Sequence, residues 1–122
     1  MLRGVRGATT VVEDTPVEVL RATKELLLAM VERNGIDFGG IASVFFSLSP
    51  DLHSVFPAEA AREMEGWRSV PLFCAQEVDV VGGMKSCVRV LIHWNTTRAP
   101  EQIRHVYLAG AVKLRPDLQA GV

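Results

Sequence analysis

Two arginines stand where a folded sheet has no ordinary use for them. Arg89 lies mid-run in Ser86-Cys-Val-Arg-Val-Leu-Ile-His-Trp-Asn95, between Val88 and Val90. At a strand's period of two, its own face also carries Cys87 and Leu91. A guanidinium there either snorkels to water at a sheet edge or holds an anion. Arg6 poses the same problem in the first apolar run. Its neighbours Gly4, Gly7 and Ala8 leave space beside it that a packed core would fill. A planar fork of N–H donors can grip a carboxylate at two points. The chemistry on offer is therefore an anion pocket.

Other residues admit a plain reading beside a functional one. Glu77 follows a strand directly and is either a solvated loop acid or an acceptor and counter-charge in the pocket. Tyr107, the one tyrosine, is expected to pack the last helix against the sheet with its hydroxyl free to find a partner. Cys74 reads more readily as a small core residue than as a nucleophile. Phe56 and Trp67 read as packing, and Arg62 and Arg115 as surface charges. Gly82-Gly83 lacks the glycine spacing and the Lys-Ser/Thr ending of a phosphate loop, and Gly4 and Gly7 match no dinucleotide fingerprint. His53, His93, His105 and the two cysteines, Cys74 and Cys87, show no metal-ligand spacing. No cofactor or metal is expected. What remains is a reaction that needs only binding and electrostatics.

Several elements must position these groups. Residues 2–12 read as a strand of small and β-branched residues. Thr15, Pro16 and Glu18 supply an N-cap, a first helical position and a capping box for a helix running to about Asn34. Its stripe is Val19, Leu20, Leu26, Leu27, Met30 and Val31, and Gly35 ends it in the left-handed conformation. Residues 41–48 form a strand with apolar residues on both faces, so both faces are expected to be covered. Pro57 to Glu65 reads as a short helix stopped by Gly66. Residues 68–75 form a strand that Pro71 places at an edge or bulge. Residues 78–85 are a loop and 86–95 a strand. Pro100 opens a helix through about Leu108. Residues from about 112 to 122 are expected to form a tail of the kind that closes over a bound ligand, with Arg115 on it.

This order implies an α+β fold: one mixed β-sheet with helices on one face. The chain of 122 residues suits one domain, residues 1–122. So small a chain has few elements to cover the sheet's other face, and self-association is the economical solution. Apolar residues make up 48% and charged residues 22%, which is globular rather than disordered composition. A net charge of −1 without a basic stripe argues against nucleic acid as partner. No apolar run approaches the ~20 residues needed to cross a bilayer, and no signal-like segment opens the chain. A cytoplasmic protein is expected.

The segments Arg3-Gly-Val-Arg-Gly-Ala-Thr-Thr10, Pro50-Asp-Leu-His-Ser-Val-Phe-Pro-Ala58, Val88-Arg-Val90, Arg104-His-Val-Tyr-Leu108 and Leu114-Arg-Pro-Asp-Leu118 carry a family resemblance. In this order, in a chain of this length, they resemble the AroH-class monofunctional chorismate mutases. The resemblance implies a homotrimeric pseudo-barrel with active sites between subunits. It implies a cofactor-free rearrangement of chorismate to prephenate, in phenylalanine and tyrosine biosynthesis. It assigns Arg89 to the ether oxygen of the breaking bond and to a carboxylate. It gives Arg6 and Tyr107 the enolpyruvyl-side carboxylate, and Glu77 and Cys74 the ring hydroxyl. Phe56, Ala58, Phe73 and Leu114 become an apolar wall, with Arg62 and Arg115 at the rim. Glu59 stands where the family often has a lysine, and Phe73 where it often has a small hydroxyl residue. A trimeric imine deaminase and a non-catalytic module sensing an anionic metabolite remain as alternatives.

Overall fold

The computed structural model describes residues 1–114. Strand β1 (Leu2–Thr10) leads to helix α1 (Pro16–Asn34). Thr15 is extended, at φ −129° and ψ 151°, and its Oγ1 accepts the Glu18 N–H at 3.2 Å. Only this half of the expected capping box forms: the Thr15 N–H bonds to Glu13 O instead, and the Glu18 carboxylate accepts from Arg21. At the other end Gly35 takes φ 64°. Its N–H reaches Glu32 O, and the Ile36 N–H reaches back to Val31 O. These two bonds satisfy carbonyls that a helix end leaves open. The buried stripe is Val19, Ala22, Thr23, Leu26, Leu27, Met30 and Asn34, with Leu20 and Val31 half-buried at its margins.

Strand β2 (Ile41–Leu48), helix α2 (Ala58–Arg62), β3 (Leu72–Gln76), β4 (Cys87–Asn95) and β5 (Val106–Tyr107) complete the fold. The sheet runs β3-β2-β4-β1-β5. β4 is antiparallel to β1 and β2, while β3 pairs with β2 and β5 with β1 in parallel. A mixed sheet with both α-helices packed on one face is the α+β architecture expected. The core lies between them, where Val5, Val44, Phe46, Val90, Ile92 and Trp94 meet Leu26, Leu27, Met30 and Trp67. Gly7 is the point of closest approach: a Cβ there would collide with the Met30 side chain.

Three expectations change. β3 begins at Leu72 rather than 68, because Arg68–Val70 turn back on the Val70 N–H to Trp67 O bond. Pro71 stands just before this edge strand and contributes only its carbonyl, to the Val44 N–H, which its missing donor allows. The short helix shrinks to Ala58–Arg62. The helix from Pro100 to Leu108 does not form. A single 3-10 turn, Pro100–Gln102, gives way to extended chain and β5. Proline is a local signal, and here tertiary pairing overrides it. Val106 is fully buried, the Leu108 N–H bonds to Ala8 O, and Asn34 takes both backbone polar groups of Arg104. Tyr107 therefore packs from a strand, against Ala8, Cys87 and Ala111, and not from a helix.

Strand β2 is covered unevenly within the chain. Val44, Phe46 and Leu48 are buried on the helix side, while Phe45 on the other face is 47% exposed. Only one face is covered within the chain.

Candidate active site

Strand register assembles the site on that uncovered face. Ser47 of β2 and Ala8 of β1 are the lateral neighbours of Arg89 on β4, and Ala8 in turn pairs with Tyr107 on β5. A row thus crosses the sheet as Ala75, Ser47, Arg89, Ala8, Tyr107. Small residues on both sides of Arg89 keep the guanidinium clear of competing bulk. The next row is Phe73, Phe45, Leu91 and Arg6. The two rows, with Glu77 and Leu114, line a cleft of about 380 Å³.

The charges are arranged around Arg89. Glu77 leaves β3 with its N–H on Leu48 O at 2.7 Å, which turns its carboxylate toward the cleft. There it accepts the Ser47 hydroxyl, and its Oε2 lies 3.8 Å from Arg89 Nε. An ion pair at that distance, between partly exposed groups, is worth little to folding. It does set the carboxylate beside the fork. Two cations, Arg6 and Arg89, then face one acid in a largely apolar hollow, which suits a ligand with negative charge to spare.

Below the cleft, the loop between Glu77 and Cys87 is anchored by Ser86. Ser86 has φ 55°, a strained value for a residue with a side chain. The Asp51 carboxylate holds it there, accepting its N–H at 2.9 Å and its hydroxyl at 3.3 Å. Burial works to raise the Asp51 pKa, but hydrogen bonds led by Ser49 and the Ser86 backbone leave it below the ordinary carboxylate value. The anchor is thus charged at neutral pH and is lost only in acid, as pH falls through that lowered value.

The structure brings together Arg6, Phe73, Glu77, Arg89, Tyr107 and Leu114 of the residues singled out from sequence. It places the others elsewhere. Cys74 points to the helix side of β3, packed on the main core. Burial raises its thiol pKa, against the pull of the Ala58 N–H and the Arg62 guanidinium. Phe56 and Cys74 line a second hollow with Glu59 and Gln76. Ala58 is buried, and Arg62 flanks Trp67 and Leu72. Arg115 and most of the expected tail lie outside the described residues. Ala75 lines both hollows, so they flank the edge strand β3. The sequence reading missed Ser47, Ala8, Phe45 and Leu91. Ala8 and Leu91 figure in it only as neighbours within their own strands, and it is the register between strands that sets Ser47 and Ala8 beside Arg89, Leu91 beside Arg6, and Phe45 beside Leu91. Among the described residues, no three His, Cys, Asp or Glu side chains gather in a way that could hold a metal ion.

The sequence pattern of the family described as chorismate mutase type I matches residues 2–118. The chain belongs to the type I chorismate mutases. It is 51% identical over 118 residues to the chorismate mutase AroH of Bacillus subtilis (strain 168), across 97% of this chain and 93% of the relative. To the chorismate mutase AroH of Thermus thermophilus it is 52% identical over 121 residues, 98% of each chain. A solved chorismate mutase from Clostridium thermocellum superposes with a TM-score of 0.86 at 45% identity, covering 89% of this chain and 96% of that one. Membership in the type I chorismate mutases sets aside the imine deaminase and makes the chain an isomerase. The cleft around Arg89 becomes its candidate active site.

Proposed function

We propose that this chorismate mutase folds as a single domain, assembles as a homotrimer, and rearranges chorismate to prephenate in clefts that two subunits complete. The observation that carries this reading is the row through Arg89: a guanidinium between Ser47 and Ala8, with Glu77 on one side and Tyr107 on the other.

The rearrangement breaks a C–O bond while a C–C bond forms, and no proton has to move. General acid–base groups are not required. The site has two tasks. It folds the substrate's extended conformer so that the reacting carbons meet, which a cleft gripping both carboxylates and the hydroxyl achieves. It also stabilises the negative charge that gathers on the ether oxygen as the bond parts. A fixed cation at that oxygen favours the transition state over the substrate. In this assignment Arg89 faces the ether oxygen, Arg6 and Tyr107 hold the enolpyruvyl-side carboxylate, and Glu77 accepts the ring hydroxyl.

The trimer resolves the division of the site. Cys74, Phe56, Ala58 and Arg62 lie at the β3 edge, away from Arg89 within one chain. A neighbour's edge laid against the open face brings its Cys74 and Phe56 to the Arg89 cleft. Phe45 and Phe73, 47% and 59% exposed, are the apolar surface such a neighbour covers. Arg115 is assigned to the rim with Arg62. Glu59 removes a positive charge from the mouth, and Phe73 narrows the cleft, so substrate capture is altered and the central arginines are untouched. A cytoplasmic location belongs to the same reading. Among the described residues, no helix is long and apolar enough to cross a membrane.

The direct test is loss of chorismate absorbance with purified protein and no added cofactor. Turnover supports the reading, and binding without turnover overturns it. For Arg6→Ala the expected result is a KM raised by about tenfold or more with a smaller fall in kcat, because this side chain mainly holds a carboxylate. Steady-state kinetics that leave KM unchanged would remove Arg6 from that role.

A further inference from the structure

Asn34 closes helix α1 and is completely buried. Its Nδ2 donates to Met30 O within the helix and to Arg104 O across the fold, both at 2.9 Å. Its Oδ1 accepts the Arg104 N–H at 2.8 Å. One carboxamide thus takes both backbone polar groups of a single residue, as a neighbouring strand would. Arg104 lies three residues before Tyr107, and β5 is only two residues long. So short a strand has little ladder of its own to fix its place. A second side chain pins it from the sheet: His105 Nδ1 accepts the Arg6 N–H at 2.9 Å.

A buried carboxamide is costly unless every bond is made, and an apolar side chain could fill the same space. What an apolar residue could not do is hold Arg104 in both position and direction. With Arg104 gripped and Val106 fully buried, strand alternation leaves Tyr107 facing the cleft beside Arg6. We propose that Asn34 is a positioning residue of the active site, setting through Arg104 where the Tyr107 hydroxyl stands. This rests on the reading that Tyr107 contacts the substrate carboxylate.

The experiment is a double-mutant cycle in kcat and KM, using Asn34→Leu, Tyr107→Phe and the double variant. Val19→Ala, a buried change in α1 remote from β5, controls for lost stability. Asn34→Leu is expected to raise KM by roughly fivefold or more while Val19→Ala leaves it unchanged. In the Tyr107→Phe background the added effect of Asn34→Leu should shrink to less than about twofold, as for residues acting through one contact. Should Asn34→Leu fail to fold, Asn34→Ser, which keeps a smaller polar group, takes its place in the cycle. If Tyr107→Phe raises KM and the Asn34 change multiplies it in full, the positioning role is wrong and the Tyr107 contact stands. If Tyr107→Phe alone leaves KM unchanged, the contact fails first and takes the inference with it.

Discussion

Arg89→Ala should leave a folded chain whose kcat is more than about a hundredfold lower, since one preorganised donor at a developing oxyanion is worth ~3–4 kcal/mol and here a full charge goes with it. The fold has little reason to object. The Arg89 side chain is 44% exposed, faces the open side of the sheet, and has Ser47 and Ala8 as lateral neighbours. Its truncation opens no hole in the main core, which lies on the opposite face. The thermal midpoint should therefore move little while turnover collapses. Arg89→Lys sharpens the test. It keeps the charge, yet a lone ammonium cannot direct N–H groups at both an ether oxygen and a carboxylate as the fork does. Its kcat should also fall by more than about tenfold, with the deficit in the chemical step rather than in binding. Near-normal turnover by either variant, in a protein of ordinary stability, would refute the electrostatic role.

What was legible in the sequence is what local chemistry decides. Thr15-Pro16 and Gly35 bound α1 because caps act within a few residues, and β2 and β4 announce themselves by runs rich in apolar and β-branched residues. The face of Arg89 follows from period two alone. β5 was not legible, because two strand-prone residues, Val106 and Tyr107, are too short a run to signal a strand after the helix start that Pro100 suggests. The strand exists because β1 and Asn34 take up the backbone groups on either side of it. The cleft's small walls were hidden for a related reason. Ser47 and Ala8 matter only through the register that sets them beside Arg89, and register is a property of pairs. Cys74 and Phe56 are the hardest case. Their resemblance-based roles place them with Arg89, yet in one chain they lie on the other side of β3. The proposed trimer gives them to a neighbour's site, and no pattern within one sequence would mark such a role.

That separation makes the assembly itself testable. Phe45 lies between Phe73, with ring centroids 5.6 Å apart, and His93, whose ring meets it edge-on at 5.3 Å. Ser43 Oγ bonds His93 Nδ1 at 3.0 Å and fixes the end of this three-ring patch. In the proposed trimer this patch is the surface a neighbour covers. Phe45→Asp would put a carboxylate at its centre. Within one chain the change is tolerable, because Phe45 is 47% exposed and lies off the core. Beneath a neighbouring subunit, it would bury a charge among aromatic rings, at a cost of several kcal/mol at each copy of the interface. The expected result is a folded monomer by sedimentation, with kcat/KM down by more than about a hundredfold because each cleft has lost the neighbour's half. Phe45 also lines the cleft, so lost activity alone would be ambiguous, and the oligomeric state decides. Phe45→Leu keeps the surface apolar and should keep both trimer and turnover. A Phe45→Asp protein that still sediments as a trimer would mean that this face is not the one subunits share. Cys74 and Phe56 would then need another route to the arginines.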